Sequence, residues 1–162
     1  MSKQAFEKTR KPRRGQFSSA CKKSNFARAQ EFLDLGADIN EIGASNWTAL
    51  IDASYHGNSA AAQFLIAHGA ELEGKDSVTG RNAMMWASLN GSTEIVRMLV
   101  ESGAKLNEKD NSGATALAYV EELISYGKDR KDIELMLIKE LLNPALRKPL
   151  KVNSPPKLGG SR

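Results

Sequence analysis

Three stretches decide how this chain folds: LDLGADIN at 33–40, LIAHGAELE at 65–73 and LVESGAKLN at 99–107. Their glycines, Gly36, Gly69 and Gly103, stand 33 and 34 residues apart. A second marker keeps the same period. WTALIDASYHGN at 47–58, RNAMMWASLNG at 81–91 and ATALAYV at 114–120 align so that Thr48, Asn82 and Thr115 are 34 and 33 apart. Two markers in constant order at one period describe a unit that repeats along the chain, which is the signature of a solenoid.

Each unit has a physical reading. A polar turn comes first, as in Asp110-Asn111-Ser112-Gly113, where Asp and Asn side chains fold back onto the backbone. Thr48 or Thr115 then opens a short helix by offering its hydroxyl to an unpaired N–H. Leu50 and Ala53, or Met84 and Ala87, fall three apart and share one helical face. Gly57 and Gly91 end that helix. A second helix follows, with Ile95, Val96, Met98, Leu99 and Val100 as its apolar side in the third unit. Gly36, Gly69 and Gly103 close these second helices where a left-handed residue is wanted. About ten residues cannot repay helix nucleation alone, so the units must stack and bury a shared core.

This order of turn, Thr-x-Leu helix, Gly, second helix and Gly-Ala resembles the ankyrin repeat. The resemblance covers about residues 15–143 and implies an all-α solenoid of about four helix-turn-helix units, at 15–42, 43–75, 76–108 and 109–143. The family's Thr-Pro-Leu-His reads Thr48-Ala49-Leu50-Ile51, Asn82-Ala83-Met84-Met85 and Thr115-Ala116-Leu117-Ala118, so Pro and His are missing throughout. Loss of the His removes a side chain that links neighbouring turns, which implies looser turns. The first unit has Gly15 in place of the Thr. The last unit carries about five extra residues, its first helix running on through Glu121 and Ile124 before Gly127, and stops at Asn143-Pro144.

Charge divides the chain. Residues 1–14 carry six Lys/Arg against Glu7, and residues 147–162 carry five with no acid. Between them stand 12 Lys/Arg against 18 Asp/Glu, so an acidic body has basic ends. The ends, 1–14 and 144–162, hold few core-forming residues and are expected to be disordered. They suit electrostatic contact with nucleic acid, solubilisation, or an acidic partner. No run of about 18 apolar residues exists, so no membrane insertion is expected. The charged N-terminus is followed by no apolar stretch of a secretory signal. With Cys21 as the only cysteine, a reducing, cytoplasmic location is the simplest expectation.

The residues offer little to catalysis. His56 and His68 stand without Cys, Asp or Glu at metal-ligand spacing. Cys21 falls where Ser54 and Ser88 fall in later units, on a small-residue packing face, and reads as a buried structural thiol despite Lys22 and Lys23 beside it. Asp52 is a lone acid without a positioned partner. No phosphate-cradling loop is present, and neither a catalytic role, a cofactor, a metal nor a small-molecule substrate is expected. Asn46 and Asn90 match the glycosylation sequon but read as turn residues.

The resemblance instead implies a partner protein, bound by turn tips and by the inner face of the first helices. In this numbering that face comprises Trp47, Asp52, Tyr55 and His56 from the second unit, Arg81, Trp86, Leu89 and Asn90 from the third, Tyr119 from the fourth, and Lys22 and Lys23 from the first. Trp47, Tyr55, Arg81 and Trp86 are the expected anchors, because Trp, Tyr and Arg dominate interface energetics. Trp47 is expected to be exposed. Trp86 is divided between exposure and packing between units. The alternative reading is a nucleic-acid-associated adaptor, with the tails on RNA or DNA and the repeats recruiting a protein.

Overall fold

A computed structural model describes residues 12–43, 45–126 and 138–143. Among the described residues, seven helices alternate between two rows. The first row holds α1 (Gln16–Lys22), α3 (Ala49–His56), α5 (Ala83–Leu89) and α7 (Ala116–Tyr126). The second holds α2 (Phe26–Asp34), α4 (Ser59–Ala67) and α6 (Thr93–Glu101). Residues 138–142 are also helical. Each first-row helix packs on the next, α1 on α3, α3 on α5 and α5 on α7, and α4 packs on α6 behind them. The only β-pairing among the described residues is an isolated antiparallel bridge between Lys75 and Asn82.

The start signals work as their chemistry requires. Thr48 Oγ1 accepts from the Ile51 N–H at 3.3 Å, Asn82 Oδ1 from Met85 at 3.0 Å and Thr115 Oγ1 from Ala118 at 3.2 Å. Asn25 and Asn58 cap α2 and α4 in the same way. Gly15, in the position of the missing Thr, has φ 81 and offers no side-chain cap. Gly57 ends α3 with φ 66, and Gly36, Gly69 and Gly103 follow the second helices with φ between 80 and 86. The extended last first-row helix is present: α7 has 11 residues, against 7 or 8 in α1, α3 and α5.

One core runs the length of the stack. Phe17, Leu50, Met84 and Val120 of the first row meet Ala29, Leu65, Val96 and Leu99 of the second, each at most 1% exposed. Ile138 and Leu142 bury the helical turn at 138–142 against the same core. Cys21, Ser54 and Ser88 do form one buried column, as their alignment implied. Neither the Ser54 nor the Ser88 hydroxyl has a hydrogen-bond partner among the described residues.

Other side chains join the turns in place of the family's His. Asn40 Oδ1 accepts from Glu71 N at 2.8 Å, and Glu73 Oε1 from Lys105 N at 2.7 Å. Lys75 reaches the Lys109 carbonyl at 2.8 Å and pairs with Glu108 at 2.9 Å. Asn111 donates its backbone N–H to Thr79 O and its amide to Val78 O. Gly80 lets Asn111 approach: a Cβ at Gly80 would lie 2.3 Å from Asn111 Oδ1 and 2.9 Å from its backbone nitrogen. Of the expected tails, residues 1–11 and 144–162 lie outside the described residues, as does Gly127.

Candidate functional site

The aromatic side chains of the first row gather on one face. Trp47, in the turn before α3, places its ring 4.8 Å from Tyr55 and 5.4 Å from Trp86. Tyr55 meets Trp86 edge-on at 5.3 Å and His56 at 5.0 Å. The three large rings therefore form a mutual cluster, with separations that favour tilted and edge-to-face pairs. Tyr55 remains 40% exposed at its surface, and His56 is exposed beside it. Trp47 departs from the expected free exposure. It is half-buried, because two neighbouring rings offer it apolar surface. Trp86 is also half-buried, its indole Nε1 donating to Asp76 Oδ2 at 3.3 Å.

Arg81 continues the row. Its guanidinium carbon lies 4.9 Å from the centre of the Trp86 ring and 4.8 Å from that of Tyr119, so the cation is held between two aromatic faces. Arg81 Nε–H donates to the Tyr119 hydroxyl at 3.0 Å, and that hydroxyl in turn donates to Asp110 Oδ2. Asp110 Oδ2 is 3.6 Å from Arg81 Nε, and its side chain is 2% exposed.

Two aspartates anchor this arrangement from the turns. Asp76 Oδ1 accepts from the Val78 and Thr79 N–H groups, and Oδ2 from the Thr79 hydroxyl, Arg81 N and Trp86 Nε1. Asp110 Oδ1 accepts from Ser112 N, the Ser112 hydroxyl and Ala114 N. Burial pushes both carboxyls upward, but the donors outweigh it and hold both below the ordinary carboxylate value. For Asp76 the Thr79 hydroxyl and N–H lead; for Asp110 the Tyr119 and Ser112 hydroxyls do.

The remaining expected contacts are partly spoken for. Tyr119 is only 7% exposed, since its ring packs under Arg81 and its hydroxyl is consumed by Asp110, so it supports the face rather than presenting itself. Asn90 spends its amide on the Tyr55 and Trp86 carbonyls, at 2.8 and 3.1 Å, bracing α3 against α5. That use of the amide agrees with a turn role for Asn90. Leu89 is partly buried against the core. Asp52 pairs with Lys22 at 3.3 Å across α3 and α1. Lys23 belongs elsewhere: it lines a groove of about 510 Å³ at the start of the stack, with Arg14, Arg28, Ala20 and Phe32. Val78, in the turn held by Asp76, is 75% exposed.

The cysteine and the second histidine lie apart from this face. The Cys21 thiol is 1% exposed, and burial pushes it up to about 12, the direction that silences a nucleophile. The His68 ring is engaged on the outer row by the Phe64 carbonyl and Gln30 Oε1. Among the described residues no group of three His, Cys, Asp or Glu is placed to hold a metal, and no helix is long and apolar enough to cross a membrane.

Fold and face together define a helical repeat solenoid with an aromatic inner surface. The family model for ankyrin repeats (3 copies) matches residues 17–110 and 71–141, and this chain belongs to the ankyrin-repeat family. Ankyrin repeats are protein–protein interaction modules, a family of non-catalytic scaffolds. Among solved structures, an ankyrin repeat domain from Acinetobacter baumannii is similar, with 26% identity and a TM-score of 0.65. The match covers 78% of this chain and 61% of that one, so the chain spans less than two thirds of its relative. No curated protein matches the chain in sequence.

Proposed function

We propose that this chain binds another protein through the inner face of its first-row helices and the adjoining turn tips. The observation that carries this reading is the ring cluster of Trp47, Tyr55 and Trp86, continued by Arg81 and flanked by exposed His56. Rings already packed on one another lose little freedom when a partner covers them. Binding itself can be the activity, by inhibiting or sequestering the partner. The encounter is taken to be cytoplasmic, in keeping with a lone, unpaired and buried cysteine.

The test is capture of partners by the tagged chain from nuclease-treated lysate of its source, beside a Tyr55→Ala variant. A protein retained by the parent and lost from the variant supports the reading. Retention that vanishes with nuclease would favour the adaptor reading, in which the basic ends hold RNA or DNA.

A further inference from the structure

Arg81 is prepared for a ligand in a way its neighbours are not. Two rings fix the plane of its guanidinium, and both rings are themselves fixed, Trp86 by Asp76 and Tyr119 by Asp110. The Nε edge is occupied by the Tyr119 hydroxyl and Asp110. The two terminal nitrogens have no partner among the described residues, and neither is a buried unsatisfied atom. An arginine normally loses much side-chain entropy when it binds. Here that loss has already occurred in folding, and a planar two-donor fork is left facing solvent.

We propose that Arg81 sets the specificity of the inner face by receiving the carboxylate of an Asp or Glu in a bound peptide segment, next to an apolar residue seated on Trp47, Tyr55 and Trp86. This rests on the inner-face reading and deepens it. A fork with two free N–H-bearing nitrogens fits a carboxylate bidentately. Asp76 and Asp110 do not compete, because the turn donors and the two rings already engage their oxygens. The same acids select against a polyanion. Asp110 Oδ2 lies 3.6 Å from Arg81 Nε and Asp76 holds the Trp86 ring against the guanidinium, so a string of phosphates would meet these carboxylates where one carboxylate reaches the open fork.

The experiment is selection from a phage-displayed random dodecapeptide library on the immobilised full chain, with Tyr55→Ala, Arg81→Lys and Arg81→Gln selected in parallel. Thermal melts confirm that each variant folds. The parent should enrich peptides with an acid close to an aromatic or aliphatic residue. Changing that acid to its amide in a synthetic peptide should weaken binding about tenfold or more, as should Arg81→Lys, in keeping with the strength of charged hydrogen bonds. The two losses should not add, because they remove one interaction. A pool without acidic preference, or no selected pool, overturns the proposal. So does an acid-to-amide change without effect, which needs no protein variant. If Tyr55→Ala abolishes binding while the Arg81 variants and the amide peptide bind normally, the carboxylate assignment falls and the inner-face reading stands. Binding indifferent to Tyr55→Ala as well removes both.

Discussion

Trp86 and Tyr119 occupy equivalent places in successive first-row helices, 33 residues apart, and the Trp86 indole N–H and the Tyr119 hydroxyl each donate to the aspartate that opens their own unit. Asp76 and Asp110 are likewise 34 apart. The second unit lacks both members at once. Gly43 stands in the turn and Asp52 on the helix, where Lys22 rather than a turn residue completes the pair. The aromatic face is thus built on a polar truss that ties each turn tip to its helix.

Tyr119→Phe removes the hydroxyl from that truss while keeping the ring under Arg81. Asp110, 2% exposed, then loses its Oδ2 donor. The expected cost is about 1–3 kcal/mol, the usual penalty for stranding a buried acceptor. A thermal melt should show a fall of several degrees, whereas removal of an exposed tyrosine hydroxyl at Tyr55 should leave the melt unchanged.

Acid should loosen the turns. Asp76 and Asp110 both titrate below their ordinary value of 3.8 in the folded chain. A carboxyl depressed by folding contributes stability that is complete above its unfolded value and is lost as pH falls through its folded one. Urea midpoints should therefore hold, as far as these two groups are concerned, down to about pH 4 and fall progressively below it. An Asp76→Asn, Asp110→Asn double variant should be less stable at neutral pH and show a shallower acid decline.

The buried hydroxyls of Ser54 and Ser88 are natural sites for improvement. Each is 0% exposed and unpartnered, and each sits within a helix. Ser54→Ala and Ser88→Ala should each stabilise the chain by about 1 kcal/mol, since alanine removes an unsatisfied polar group and is the better helix former. Melting temperatures that fall instead would show that the hydroxyls are satisfied.

Gly80 and Gly36 separate backbone conformation from crowding. Both have positive φ, 72 and 80, but only at Gly80 does a Cβ meet the neighbouring turn. Gly80→Ala should cost well over about 1 kcal/mol, combining left-handed strain with displacement of Asn111. Gly36→Asn should cost far less, because asparagine visits that conformation and the space beside Gly36 is open. Chemical denaturation of the two variants side by side measures the difference.

The fold was legible because one pattern of Thr or Asn, small residues and glycine recurs at constant spacing, and each mark has a local cause that needs no tertiary knowledge. Thr48, Asn82 and Thr115 cap helices for reasons contained within three residues. The face was legible only in outline. The repeat sets Asp52, Trp86 and Tyr119 34 and 33 residues apart, yet that spacing does not show that Tyr119 turns its hydroxyl inward or that Asn90 spends its amide on two carbonyls. Those outcomes depend on contacts 9 and 35 residues away. A signal was present in the joint loss of the turn aspartate and the helix aromatic from the second unit. Trp47 was misplaced for the same reason: a residue beside a polar turn looks exposed until Tyr55 and Trp86 are known to flank it.

The most direct test of the inner face is hydroxyl-radical footprinting of the chain alone and in complex with its captured partner, read residue by residue by mass spectrometry. The account predicts that Tyr55, His56 and Trp86 become protected on binding, while Phe26, Phe64 and His68 on the outer row react as before. Protection of Phe64 and His68 with Tyr55 left reactive would contradict it.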